Sequence, residues 1–120
     1  MADEIAVTIA LSVAKGNLAL AIASERFLPD MSGTRYIDNV QNIGTTAEAL
    51  GVGDVGTAGW AYFKNLDLTN YVEIGRDISG FQAFIKLLPG EACVVRLGTS
   101  APYAKANTAA IDLKYVIIEQ

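Results

Sequence analysis

Gly59-Trp60-Ala61-Tyr62-Phe63-Lys64-Asn65, then Leu66-Asp67-Leu68-Thr69-Asn70, then Tyr71-Val72-Glu73-Ile74-Gly75 read as strand, turn and strand. The first run is rich in aromatic residues, which suit a pleated surface, and the last alternates apolar and polar with a period of two. Between them, Asn65, Asp67, Thr69 and Asn70 offer amide, carboxylate and hydroxyl groups that bond local backbone and reverse the chain.

The same reading extends in both directions. Toward the C-terminus, Phe81, Ala83, Ile85 and Leu87 share one face of the next strand. Leu88-Pro89-Gly90-Glu91 places Pro-Gly at the centre of a type II turn. Ala92 to Leu97 is a further strand, ended by Gly98-Thr99-Ser100-Ala101-Pro102. The last runs from Ile111 to Glu119, with Ile111, Leu113, Tyr115 and Ile117 on one side. Toward the N-terminus, Ile5, Val7, Ile9, Leu11 and Val13 alternate with small residues; Lys15-Gly16-Asn17 turns, and Leu18, Leu20 and Ile22 resume the alternation. This predicts a hairpin, since a helix would spread the apolar side chains round its circumference. Thr34 to Ile43 reads as a weaker strand, Ala47-Glu48-Ala49-Leu50 is too short to assign, and Gly51 to Gly56 is a connector. The expectation is an all-β chain: an antiparallel β-sandwich, jelly-roll-like, of about eight short strands, forming one domain over 1–120.

Composition narrows the chemistry. The 120 residues include no His, which removes Ser-His-Asp triads, imidazole acid–base catalysis and His-ligated zinc. Nine Lys and Arg against 13 Asp and Glu give a net charge of −4, so no cation excess exists for nucleic-acid phosphates. The single cysteine, Cys93, has no internal disulfide partner and no His to activate it, and lies in an apolar run as a small buried hydrophobe. No stretch approaches the ~20 apolar residues of a membrane span. The start, Met1-Ala2-Asp3-Glu4, is acidic where a signal peptide is basic, and predicts synthesis in the cytosol. With 52% hydrophobic residues, a domain of this size has apolar surface to spare for contacts between subunits or with a lattice.

Four constellations invite a chemical reading. Gly51-x-Gly53-x-x-Gly56 matches a dinucleotide fingerprint in letters, but Thr57 to Phe63 behind it reads as strand where the phosphate site needs a helix. Glu73 and Glu91 near strand ends would have to approach each other to act as a glycosidase pair. Trp60, Tyr62, Tyr71 and Tyr103 could stack on sugar rings, although core or interface filling is the commoner use. Arg76, Lys86 and Arg96 could form a small basic patch. The acids Asp30, Asp38, Asp54, Asp67, Asp77 and Asp112 are scattered and form no calcium loop. No catalytic, cofactor-binding or metal-ligating set is expected.

The stretch from Gly56 to Asp67, continued by Thr69-Asn70-Tyr71-Val72-Glu73-Ile74-Gly75, resembles small structural proteins of tailed bacteriophages. The likeness continues through Phe84 to Glu91, Arg96-Leu97-Gly98-Thr99 and Ala104 to Thr108, and more loosely through Asn39 to Thr45. It implies a non-enzymatic virion protein without cofactor: a capsid decoration or cement protein on the particle surface, partnered with the major capsid protein and with its own copies, as a trimer by preference. Nucleic acid and membrane are not among the implied partners. A head-fibre, neck or tail component and a carbohydrate-binding adsorption module are the alternatives. Residues 1–4 and the 26–56 region are the segments expected to reach neighbours.

Overall fold

The computed structural model describes residues 3–120. Among them are ten strands and no helix: β1 (Val7–Lys15), β2 (Leu18–Phe27), β3 (Tyr36–Ile43), β4 (Glu48–Ala49), β5 (Ala58–Asn65), β6 (Val72–Asp77), β7 (Phe81–Leu87), β8 (Ala92–Arg96), β9 (Tyr103–Ala106) and β10 (Ile111–Glu119). They divide into two compact units, Met1–Ser32 and Gly33–Gln120. The reading of the sequence placed all strands in one domain. A period of two shows that a strand has an apolar side, but not whether its own chain covers that side.

The first unit is the antiparallel hairpin β1–β2. Lys15 pairs with Leu18, leaving Gly16 and Asn17 as a two-residue loop. Gly16 has φ of +58°, as the first central position of a type II′ turn requires. The base is tied by the Ile5 amide donating to the Pro29 carbonyl at 3.1 Å. The register shifts between Ile9 and Leu11, where Ala23 and Ser24 together oppose Ala10, a β-bulge.

The second unit is an eight-stranded sandwich of two four-stranded sheets, in order β3-β10-β5-β8 and β4-β9-β6-β7. The pairings nest: β3 with β10, β4 with β9, β5 with β8 and β6 with β7. A long hairpin whose legs are β3–β6 and β7–β10 has been rolled into two sheets, which is a jelly roll. The alternation of β5 and β10 fixes what points inward: Ala61, Phe63, Leu113, Tyr115 and Ile117 are buried, and their neighbours in sequence are more exposed. Val72, Ile74, Leu87, Ala104 and Ala106 meet them from the other sheet. Each large aliphatic side chain so buried is worth about 2 kcal/mol. Phe63 and Tyr115 lie with ring centroids 6.5 Å apart.

Three turn expectations have direct counterparts. The Glu91 amide donates to the Leu88 carbonyl at 3.0 Å and Gly90 has φ of +80°, a type II turn on Pro89-Gly90. The Asp67 carboxylate accepts from the Thr69 and Asn70 amides at 3.0 and 2.6 Å. Asn65 is fully buried, and its side-chain amide donates to the carbonyls of Asn70 (2.9 Å) and Leu87 (3.0 Å) while its oxygen accepts from the Asp67 amide (2.9 Å).

The β6–β7 pair carries a second bulge. Ile74 faces Ile85 and Gly75 faces Ala83, leaving Phe84 as the extra residue. Here the backbones approach so closely that a Cβ on Gly75 would lie inside the Gln82 carbonyl.

Two substitutions test these constraints. Asn65→Leu strands two carbonyls and an amide with no water to replace the lost bonds, and is expected to cost about 3 kcal/mol in urea unfolding. Gly75→Ala must force the β7 backbone away, and is expected to cost about 2 kcal/mol; an unchanged midpoint for either would contradict the geometry described.

Candidate functional site

At the edge of the sandwich where β7 and β8 are the outermost strands, a groove of about 400 Å³ opens between the sheets. Ile74, Ile85, Val95, Leu97 and Pro102 make an apolar floor. Arg76, Gln82, Arg96 and Thr99 supply polar groups around it. The Arg76 Nε donates to Gln82 Oε1 at 3.2 Å, which holds the two side chains together. Phe84, pushed out by the bulge, also borders the groove and is 93% exposed. No lining residue is Asp, Glu, His, Cys, Lys, Tyr or Ser. The groove can therefore take an apolar segment with cationic groups beside it; its lining holds no carboxylate, imidazole or thiol, and its one hydroxyl, Thr99, accepts the Ala101 amide at 3.1 Å.

Residues singled out in the sequence fall as follows. The glycine-rich connector leads into strand β5 and not into a helix. Three of its amides are engaged within the chain: Gly51 donates to Gln41 Oε1 at 3.1 Å, Val55 to the Val52 carbonyl at 3.0 Å and Gly56 to Glu119 Oε2 at 2.9 Å. The Tyr115 hydroxyl donates to the Gly51 carbonyl at 2.6 Å and accepts from the Asn39 side-chain amide. A carboxylate from the protein itself thus sits where a phosphate-binding loop would place its ligand.

Glu73 and Glu91 are each engaged separately. Glu73 lies in register between Lys86 on β7 and Lys105 on β9, cross-strand partners of opposite charge. Glu91 accepts the Leu88 amide at 2.8 Å inside its own turn. The scattered aspartates also serve local structure: Asp38 pairs with Lys114 at 2.7 Å, Asp77 accepts the Gly80 amide at 3.2 Å, and Asp112 accepts from the Asn42 side chain at 3.0 Å.

The aromatic residues do not form one platform. Trp60 and Tyr62 share the outward face of β5, in one sheet, and Tyr103 the outward face of β9, in the other. Arg96 lies over the Trp60 ring at 5.5 Å, and the Lys86 ammonium over Tyr71 at 4.1 Å, so cations of this chain occupy the faces a sugar would need. Of the three basic residues considered together, Arg76 and Arg96 both border the groove, Arg76 bonded to Gln82 and Arg96 turned onto Trp60, while Lys86 stays on Tyr71, so they form no single patch. Cys93 is half-buried against the core, and desolvation pushes its thiol up from the ordinary value, which keeps it protonated.

The groove itself was not legible as a site. Its members come from β6, β7, β8 and the segment after β8, and no spacing in the sequence links them. The one available signal was the parity of β7, which puts Phe84 opposite to Phe81, Ile85 and Leu87.

No family model matches the chain, no curated protein matches it in sequence, and no solved structure matches it in fold.

Glu119 yields a test in acid. The Gly56 amide does most to hold its carboxyl below the ordinary 4.5; desolvation opposes this, and the Thr34 amide and Arg35 charge add to the lowering. The folded state then binds its proton less readily than the unfolded chain. The resulting stabilisation is present above pH 4.5 and is lost as the pH falls through the lower, folded-state value. Glu119→Gln is expected to lower the melting temperature at neutral pH and to flatten its fall below pH 4.5, as followed by circular dichroism.

Proposed function

We propose that this chain is a bacteriophage virion structural protein, a capsid decoration or cement protein that binds the assembled head shell and works as a homo-oligomer with no chemical step. The observation that supports the reading is the groove between β7 and β8, an apolar trough bordered by the exposed Phe84, with no carboxylate, imidazole or thiol in its lining. An exposed aromatic anchor beside an apolar slot, with arginines at its margin, has the makeup of a protein-binding hot spot. The resemblance of its motifs to phage structural proteins implies the partner class, the major capsid protein.

The mechanism is one of linkage. A cement protein that contacts two neighbouring shell subunits finds its complete site only on the assembled lattice. Binding then stabilises the assembled state by RT ln(1 + [L]/Kd), about 2.7 kcal/mol per site at a hundredfold excess over Kd. A rigid jelly roll suits this role, because little conformational entropy remains to be lost on docking. The location follows from the same proposal: the outer surface of the head, after synthesis in the host cytoplasm.

The test uses heads assembled without the protein. Added protein should co-sediment with them and raise the temperature at which they release DNA. Phe84→Ala should weaken binding about tenfold or more, as loss of a central aromatic anchor does, without altering the unfolding transition. Failure of the folded protein both to bind and to protect the heads would falsify the cement role. Density at the neck or tail in a particle reconstruction would move it to another virion station.

A further inference from the structure

We infer that the face of the β1–β2 hairpin carrying Ile9, Leu11, Val13, Leu18, Leu20 and Ile22 is covered by the same face of a second copy of this chain, the two hairpins stacked antiparallel about a two-fold axis.

The inference starts from what the hairpin lacks. From Thr8 to Leu28 every residue is exposed, including Leu11 at 61% and Leu20 at 53%. A two-stranded ribbon with neither face packed beyond Val7 at its base is marginal in water, and needs a further layer to be stable. The two faces of this ribbon differ sharply. In register, Leu11 pairs with Ile22, Val13 with Leu20 and Lys15 with Leu18, so the large aliphatic side chains gather on one side. The other side carries Ala14 against Ala19 and Ser12 against Ala21. Small side chains can stay in water at little cost; a continuous patch of Leu, Ile and Val cannot.

Area and charge favour an identical partner. The six aliphatic residues offer roughly 500 Å² per copy, so a face-to-face pair buries on the order of 1,000 Å², the size at which a specific interface begins. The groove at β7 and β8, at about 400 Å³, is too small to take the whole face. The patch is apolar along its length, with its charges only at its ends. Lys15 lies on this face at the tip, and Glu25, in register with Ile9, lies on it toward the base. Antiparallel stacking brings the Lys15 of each copy level with the Ile9–Glu25 pair of the other, twice by symmetry. A parallel stack would instead set lysine against lysine and glutamate against glutamate.

The inference does not depend on the virion reading, and its test uses the purified chain with no particle present. Light scattering and sedimentation should give twice 12.7 kDa, dissociating on dilution. The Leu11→Ser/Leu20→Ser double variant should run as one copy. Trp60, the only tryptophan, lies in β5 and reports by fluorescence that the sandwich still unfolds at the same urea concentration. Lys15→Glu, which leaves the apolar face intact, should weaken pairing about tenfold, and adding Glu25→Lys should restore it to within about twofold. A single-copy mass for the unaltered chain would overturn the inference, as would pairing that survives the double leucine variant. Three copies in place of two, or no rescue by the charge swap, would overturn the two-fold antiparallel arrangement. Head binding can fail while pairing holds, and the reverse, so each reading has its own answer.

Discussion

The buried side chain of Asn65 is the interaction on which the sandwich turns. It sits at the end of β5, in one sheet, and donates to the carbonyl of Leu87 at the end of β7, in the other. Its second amide hydrogen goes to Asn70 and its oxygen receives the Asp67 amide, so one residue closes the β5–β6 corner and pins it to the far sheet. The Asn65 backbone adds two more ties, donating to the Glu91 carbonyl at 3.0 Å and accepting from Gly90 at 3.1 Å. A jelly roll needs its strands to cross between sheets at corners, and every corner exposes backbone groups that no ladder can satisfy. Asn is suited to this position because it presents two donors and an acceptor on a short stem.

Around that corner, polar residues do structural work that their types alone would not reveal. Glu119 accepts the Gly56 amide at one end of the 51–56 loop, Gln41 accepts the Gly51 amide at the other, Tyr115 donates to the Gly51 carbonyl, and Asp67 organises its own turn. The carboxylates of the sandwich are thus largely committed to backbone amides and neighbouring side chains. Beside them, the β7–β8 groove has an apolar floor bordered by Arg76, Gln82, Arg96 and Thr99.

Much of the fold was legible because its strands alternate strongly. The Gly59–Gly75 segment, the Pro89-Gly90 turn and β10 match expectation to within a residue or two, and the β1–β2 hairpin forms as read, though β2 runs on past Ile22 to Phe27. The all-β sandwich also holds; the expected eight or so strands counted the hairpin, and the described residues form ten, the hairpin pair and eight in the sandwich. Strand β9 escaped because its inward residues are Ala104 and Ala106, too small to register as an apolar period. The two-residue β4 escaped because such a strand has no period at all. Ala83 was expected inside with Phe81, Ile85 and Leu87, yet it is exposed: the bulge at Phe84 interrupts the alternation, and nothing in the letters announces an extra residue. Among the candidate sites, Arg76 and Arg96 border one groove but engage different partners, Gln82 and Trp60, and the aromatic residues divide between outer faces. Neither outcome could follow without the strand order. Of the segments expected to reach neighbours, residues 1 and 2 lie outside the described residues. Tyr115 and Glu119 bind part of the other, 26–56, into the sandwich.

The one-residue insertion at Phe84 bears on how such a protein survives at high concentration. β7 is an outermost strand, the kind of border along which β-rich chains join into endless fibres. An irregular spacing of amides and carbonyls spoils the template for such growth, and a protruding ring adds a steric block. The same kink that exposes an aromatic side chain therefore also makes this border a poor template for strand-by-strand growth, two consequences of a single local departure from regularity.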